Sequence, residues 1–418
     1  MKTVKFGIFG LGRGSNFISS VLKNDGEIVA ICDKNAEKCE QFKKMYGKDL
    51  AIYHDFDEFI NHKGLEAVML CNYFNEHAPY AIKALEKGLH VLSECTSNST
   101  MAEGVALVRA AEKSGAFYML SENYPFMKFN QEMRRVYRGG SLGKVLFAEG
   151  EYNHPLDLDG EREYYIQLHP YPEHWRNYLS RTYYITHSLA PLMYITGAVP
   201  KRVTALPCFA PIEEFGVNGS AVGDRAAIIT TLNDDDSVFR VTGCAAFGAH
   251  ENSYRVCGTK GQIENVRGGE GKVMLRYNKW DMPEGALSDM MYTPQWPDDV
   301  KKLIGSAGHG GGDFFVIREF FNCIREGRRP EFDEYFGTTC ASVAILGHRS
   351  MLERGVPYDL PDFHKEEDRK KYENDTLTPF YGPNGEKPTL PACSHPDYKV
   401  PDELYQKYLS ECEKYKKM

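Results

Sequence analysis

Phe6-Gly7-Ile8-Phe9-Gly10-Leu11-Gly12-Arg13-Gly14-Ser15, followed by Glu27-Ile28-Val29-Ala30-Ile31-Cys32-Asp33, decides how the first third of this chain folds. The apolar run 3–9 reads as a β-strand, 10–15 as a glycine turn, 16–23 as a helix and 27–32 as a second strand, which together make a βαβ unit. In that context Gly10 makes the tight turn and Gly12 lets backbone come close to a pyrophosphate. Leu11, Arg13, Gly14 and Ser15 open a helix whose free N–H groups face the anion. The third glycine stands one place early, and its expected position is Ser15, still small enough for close helix packing. Asp33 ends the second strand, where a carboxylate accepts from a ribose and repels a 2′-phosphate. The expected cofactor is therefore NAD rather than NADP, although Lys34 next door works against that preference. Alone, a glycine-rich turn is no more than a tight turn; the flanking strand, helix and Asp33 turn it into a dinucleotide fingerprint.

The alternation continues with a helix over 35–46, a strand over 65–71, a helix over 76–87, a strand over 90–93, a helix over 101–114 and a strand over 116–120. This predicts an α/β, doubly wound parallel sheet of Rossmann type, its ligand lying beyond the carboxyl ends of the strands. Past residue 123 the period changes to two, with strands expected over 145–151, 202–209, 225–232, 239–247 and 254–258. Helical patterns at 127–138, 183–195, 314–325 and 337–353 intervene. The expected organisation is a dinucleotide domain over 1–123 and an α+β domain on a large, mainly antiparallel sheet over 124–363. An extended arm with a short helix follows over 364–418.

With 418 residues, 42% of them hydrophobic and 26% charged, the chain has material for more than one core. A net charge of −8 and no long basic run give nucleic acid or an anionic membrane no electrostatic support. No apolar stretch is long enough to span a bilayer, and the lysines of the start are followed by a strand rather than a signal core. Eleven scattered cysteines, without a Cys-x-x-Cys pair, suit a reducing cytoplasm. Thirteen dispersed histidines offer no metal spacing, so no metal is expected.

The glycine turn, Cys71-Asn72-Tyr73-Phe74-Asn75-Glu76-His77 and the run from Ala84 to Glu94 resemble the glucose-fructose oxidoreductase, inositol dehydrogenase and MocA family (Gfo/Idh/MocA). That family usually continues Glu-Lys-Pro, with a catalytic lysine beside the nicotinamide; here the residues are Glu94-Cys95-Thr96. The departure is similar to one branch, the NAD-dependent glycosidases of glycoside hydrolase family 109. Ser121-Glu122-Asn123, Tyr152-Asn153-His154, Trp175-Arg176, Tyr184-Ile185-Thr186-His187 and Gly308-His309-Gly310-Gly311-Gly312-Asp313 carry that likeness. Ile185 replaces that branch's proline, and Ser188-Leu189-Ala190-Pro191 its glycines.

Tyr184 and His187, three apart, can share a helix face and pass protons if the phenol is shifted down; without the resemblance they read as a packed tyrosine and a core histidine. Tyr152 and His154 project to one side of a strand end, as sugar-binding rings or as a solvated edge. Arg176 and Trp175 form a clamp and platform for a sugar, or a surface pair. Asn72, His77, Glu94 and Asn123 fall at the carboxyl edge of the parallel sheet, where the resemblance puts the cofactor; they read equally as turn, cap and solvated groups. His309 reaches toward the site, Asp313 reads as a helix N-cap and the glycines before it as a flexible loop. The resemblance implies hydride transfer at a ring hydroxyl of a small-molecule sugar or glycoside at C3, in a redox-neutral cleavage through a 3-keto intermediate. Net dehydrogenation is the alternative, a non-catalytic NAD-binding regulator a further one. A dimer or tetramer is the assembly the resemblance implies.

Overall fold

The computed structural model describes residues 2–47, 49–155, 171–211, 223–305 and 307–416. Apolar, doubly covered runs form the first sheet: β1 Val4–Phe9, β2 Gly26–Cys32, β3 Ala51–Tyr53, β4 Ala67–Leu70, β5 His90–Ser93 and β6 Tyr118–Leu120. All pair in parallel, in the order β3-β2-β1-β4-β5-β6. The direction of winding reverses between β1 and β4, and a crevice opens there at the carboxyl ends of the strands. Its helices start on local caps: Asn35 accepts from Lys38 N at 3.0 Å, and Thr100 and Glu103 form a reciprocal capping box.

The second sheet holds β7 Val145–Asn153, β8 Pro200–Phe209, β9 Asp224–Asn233, β10 Val238–Ala245 and β11 Glu251–Gly258. β12 Gly261–Asn265, β13 Val273–Tyr277, β14 Asp289–Tyr292 and β15 Tyr358–Asp359 complete it. Their order is β14-β13-β12-β11-β7-β10-β9-β8-β15, antiparallel except for the parallel β7–β10 pair. Two glycines fix what lies against this sheet. A Cβ at Gly150 would meet Ser188 O at 2.1 Å, and one at Gly243 would meet Tyr184 O at 2.8 Å and Arg181 O at 2.9 Å. The turn Arg181–Tyr184 and the helix Thr186–Thr196 therefore press directly onto β7 and β10.

The helix Gly312–Glu326, late in sequence, closes one face of the first sheet. Phe320 and Phe321 pack on Phe6 with ring centroids 6.1 and 5.2 Å apart, and Phe320 also meets Phe117 at 5.5 Å. The C-terminal segment is tied down rather than free: Asp375 takes a two-pronged ion pair from Arg349 at 2.6 and 2.7 Å, and Phe380 is buried. Ser394 donates to Asp224 at 2.6 Å. All eleven cysteines are free thiols. Among the described residues no helix is long and apolar enough to cross a membrane.

Phe320→Ala empties a fully buried ring site, so urea denaturation is expected to show a loss of roughly 3–5 kcal/mol. Trp280→Ala, at a side chain 83% exposed, should stay within about 0.5 kcal/mol of the parent.

Candidate active site

Gly10 adopts φ +89°, and a Cβ there would lie 2.5 Å from the Cys71 carbonyl, so the turn needs glycine on both counts. Around Gly12 a Cβ would meet nothing within 4 Å, which leaves open space above the turn for a pyrophosphate. Close packing falls on Gly14, whose Cβ would sit 2.5 Å from Ile8 Cγ2, rather than on Ser15; the Ser15 hydroxyl donates to Leu11 O at 2.7 Å. Asp33 accepts from Leu11 N at 2.8 Å and Asn35 N at 2.9 Å, so it fixes the turn while lining the crevice. At the same edge Asn72 Oδ1 and Asn123 Oδ1 are buried without a hydrogen-bond partner. An open glycine cradle and two unanswered buried acceptors fit a dinucleotide. His77 is buried and close to Thr96 O through Nδ1 at 2.9 Å; burial holds its imidazole down to about 4, in the neutral form.

Arg13 turns across the crevice. Its guanidinium donates to Glu94 at 3.0 Å and to both oxygens of Asp313 at 3.0 and 2.7 Å. Asn123 Nδ2 donates to the same Asp313 carboxylate at 2.8 Å, and His309 Nδ1 lies 3.1 Å from it. Burial would raise the Asp313 carboxyl, but His309 and Arg13 hold it well below the usual carboxylate range. This corrects the expected N-cap role: Gly311 is the N-cap of Gly312–Glu326, and Asp313 lies in the first turn, its carboxylate paired with Arg13. Nor are the preceding glycines a loose loop. His309–Gly311 is a 3-10 turn, and a Cβ on Gly312 would meet Asn123 O at 2.5 Å.

Tyr184 lies in the turn ahead of the helix Thr186–Thr196, not on it as the periodicity predicts, because the turn is pressed against Gly243. The pair still meets, with the Tyr184 and His187 rings 5.1 Å apart and nearly perpendicular. Below them Glu122, fully buried at the end of β6, accepts from His187 Nδ1 at 2.9 and 3.1 Å and from Cys95 Sγ at 3.1 Å. Burial works against the Glu122 charge, but His187 and its hydrogen bonds with Cys95 hold the carboxyl below its ordinary value. An ionised Glu122 fixes the tautomer with the proton on Nδ1, which leaves Nε2 to act as a base. Tyr124 stacks on His187 at 4.0 Å, and Tyr254 Oη donates to His187 O at 2.5 Å.

Tyr152 completes the cluster, 4.9 Å from His187 and 5.8 Å from both Tyr184 and His154; the last lies 4.9 Å from His250. Burial pushes the Tyr152 and Tyr184 phenols far up, and Arg176 offsets this in part. The expected downward shift of Tyr184 is thus reversed, and both phenols are proton donors at neutral pH. Arg176 lies 4.4 Å over the Trp175 ring, Trp175 stacks on Phe74 at 4.9 Å and Phe74 on Tyr184 at 5.4 Å, so the platform leads into the cluster. Cys95, Glu122 and His187 each present an atom of metal-ligand type within 4.8 Å of the others, a grouping the dispersed sequence positions do not reveal. Burial and Glu122 raise the Cys95 thiol well above its usual range, so it is a hydrogen-bond donor.

The structure gathers Tyr152, His154, Trp175, Arg176, Tyr184 and His187 in one cluster, and sets Arg13, Glu94 and Asn123, which the sequence assigns to the cofactor, and His309, which it assigns to the substrate, in the adjoining Asp313 network. Sequence reasoning missed Glu122, Cys95, Tyr124 and Phe74. Each was in a quoted motif or beside one, and a buried acid at the end of the last parallel strand was the available signal for Glu122.

Residues 4–122 match the model of the Gfo/Idh/MocA oxidoreductase family, NAD-binding Rossmann fold, and 223–370 that of the glycosyl hydrolase 109 C-terminal domain. A glycosyl hydrolase family 109 protein of Streptomyces filamentosus is 26% identical, over 88% of this chain and 79% of its own. An alpha-N-acetylgalactosaminidase of Shewanella oneidensis is 24% identical, over 87% and 85%. Among solved structures, levoglucosan dehydrogenase with NADH and L-sorbose superposes with a TM-score of 0.71 at 17% identity, over 87% of this chain and all of its own. That last likeness is one of fold.

Asp313→Asn removes the charge that neutralises Arg13, and is expected to cost roughly 2–4 kcal/mol at pH 7, since Glu94 remains as a partner. Because the folded carboxyl sits below its unfolded value, the stabilisation is complete above about pH 4 and is lost as pH falls through the folded value. Denaturation curves of parent and variant should therefore converge on acidification from that point.

Proposed function

We propose that this chain, whose residues 4–122 match the Gfo/Idh/MocA NAD-binding model and 223–370 the glycosyl hydrolase 109 C-terminal model, is an NAD-dependent enzyme that cleaves a glycoside without net redox change. In this reading residues 1–123 hold the dinucleotide and 124–363 present the sugar. The observation that carries it is the Glu122–His187 pair with two protonated phenols around it, placed where the resemblance calls for a lysine and this chain has Cys95.

The turn Gly10–Ser15, Asp33, Asn72, Glu94 and Asn123 would hold NAD, which when bound supplies a reversible hydride acceptor beside the sugar. The side chains must then manage protons. His187 Nε2, with Nδ1 held by Glu122, takes the proton of the ring hydroxyl that becomes a carbonyl at C3. A carbonyl at C3 makes the C2 hydrogen acidic; the proton a base takes from C2 balances the one given to the departing C1 oxygen, and water then adds to the unsaturated sugar before the hydride returns to C3. Tyr184 and Tyr152, kept protonated by burial, are fitted to hold the departing oxygen with hydrogen bonds. Arg176 beside both phenols steadies negative charge as it develops. The name of the Shewanella relative makes N-acetylgalactosaminides the first glycosides to try.

Tyr184→Phe and His187→Ala are each expected to lower aryl-glycoside cleavage by roughly a hundredfold to ten-thousandfold, with NAD affinity nearly intact. A panel of aryl glycosides, assayed with and without added NAD for aglycone release and reduced cofactor, reads this out. Near-normal rates in both variants would leave the pair as packing residues, and reduced cofactor rising in step with product would make the enzyme a dehydrogenase.

A further inference from the structure

A cavity of about 510 Å³ shares its Trp175 wall with the Tyr184, Phe74 and Trp175 stack. Tyr73 and Glu76, from the segment after β4, line it on one side, Tyr171 and Trp175 on another, and Tyr381 with Lys387 close the third. The volume falls in the ~300–1,000 Å³ range of small-molecule sites. The third side comes from the C-terminal arm, outside the residues matched by either family model.

That side is built, not draped. Phe380 is 2% exposed and sets its ring 6.2 Å from Phe74 and 5.0 Å from Tyr183. Tyr381 O accepts from Asn75 Nδ2 at 3.2 Å, which ties the arm to the segment after β4. The turn beyond it is closed by Gly385 N to Gly382 O at 3.0 Å and by the Glu386 carboxylate, which accepts from Asn384 N and Nδ2 at 3.0 Å each.

The position in the crevice identifies the occupant. The segment that lines the cavity starts against the glycine turn, since a Cβ on Gly10 would lie 2.7 Å from Asn72 N, and Tyr73 and Glu76 feel the charges of Asp33 and Lys34 at the end of β2. Resting on the NAD reading above, we infer that the arm segment Tyr381–Lys387 forms the outer wall of an adenosine site. Tyr73, Tyr171 and Tyr381 line it with aromatic surface for a flat base, and Glu76 offers acceptors for ribose hydroxyls. A cofactor walled in by chain from beyond the dinucleotide domain leaves slowly, as a cycle that returns its hydride each turnover requires.

Titrations of the full-length protein with NAD and with ADP-ribose, followed by calorimetry, test this in Tyr381→Ala and Tyr171→Ala. Tyr171 is 52% exposed, so its truncation leaves the fold intact should the other variant fail to fold. Each substitution should weaken both probes roughly tenfold, as loss of a base-stacking ring does, and speed NAD release, while the glycoside KM at saturating NAD stays put. Unchanged affinity for both probes overturns the assignment. So does a loss confined to glycoside KM, which would make the cavity a leaving-group subsite. A parent protein that binds no NAD, indistinguishable from Gly12→Val, would instead sink the NAD reading itself.

Discussion

One buried carboxylate constrains the rest of the site. Glu122 has no exposed surface, so its charge is tolerable only if every oxygen is answered, and His187, Cys95 and the Tyr124 backbone N–H answer them. Those partners come from the ends of β5 and β6 and from the helix Thr186–Thr196, so the requirement ties the helix that packs on the second sheet to the strand ends of the first. It also fixes the imidazole tautomer, and with it the direction in which a proton can move. Burial keeps the neighbouring Tyr152 and Tyr184 phenols protonated around that imidazole.

A second, larger network does for the cofactor crevice what Glu122 does for the proton site. Arg13 on the glycine turn, Glu94 after β5, Asn123 after β6 and Asp313 on Gly312–Glu326 share one set of charges. The helix bearing Asp313 is the one whose Phe320 and Phe321 cover the first sheet, so packing and electrostatics hold the same element. The arm, fixed by Asp375, Phe380 and Ser394, adds a third attachment across the crevice.

The parallel sheet was legible because its strands are short continuous apolar runs set off by glycine and acid signals, as at Phe6–Gly10 and Ile28–Asp33. β3 escaped because Ala51–Tyr53 is three residues among polar neighbours, and β12, β13 and β14 because strands of four or five residues near a sheet edge carry little periodicity. Tyr184 and His187 could be paired from their spacing, but the reason they meet is a turn seated on Gly243, a contact across 59 residues of sequence that no local pattern announces. The same holds for Glu122 and His187, 65 residues apart. Sequence patterns find elements and residue types; which buried acid faces which imidazole is decided by packing.

In the proposed reaction protons move around a carbonyl that exists only in passing. Turnover of a glycoside in heavy water, with NAD present in trace amount, tests it most directly by mass and NMR analysis of the released sugar. Redox-neutral cleavage through a C3 carbonyl puts deuterium at C2 of the product with no accumulation of reduced cofactor. Product with hydrogen retained at C2, or reduced cofactor formed in step with product, would contradict it.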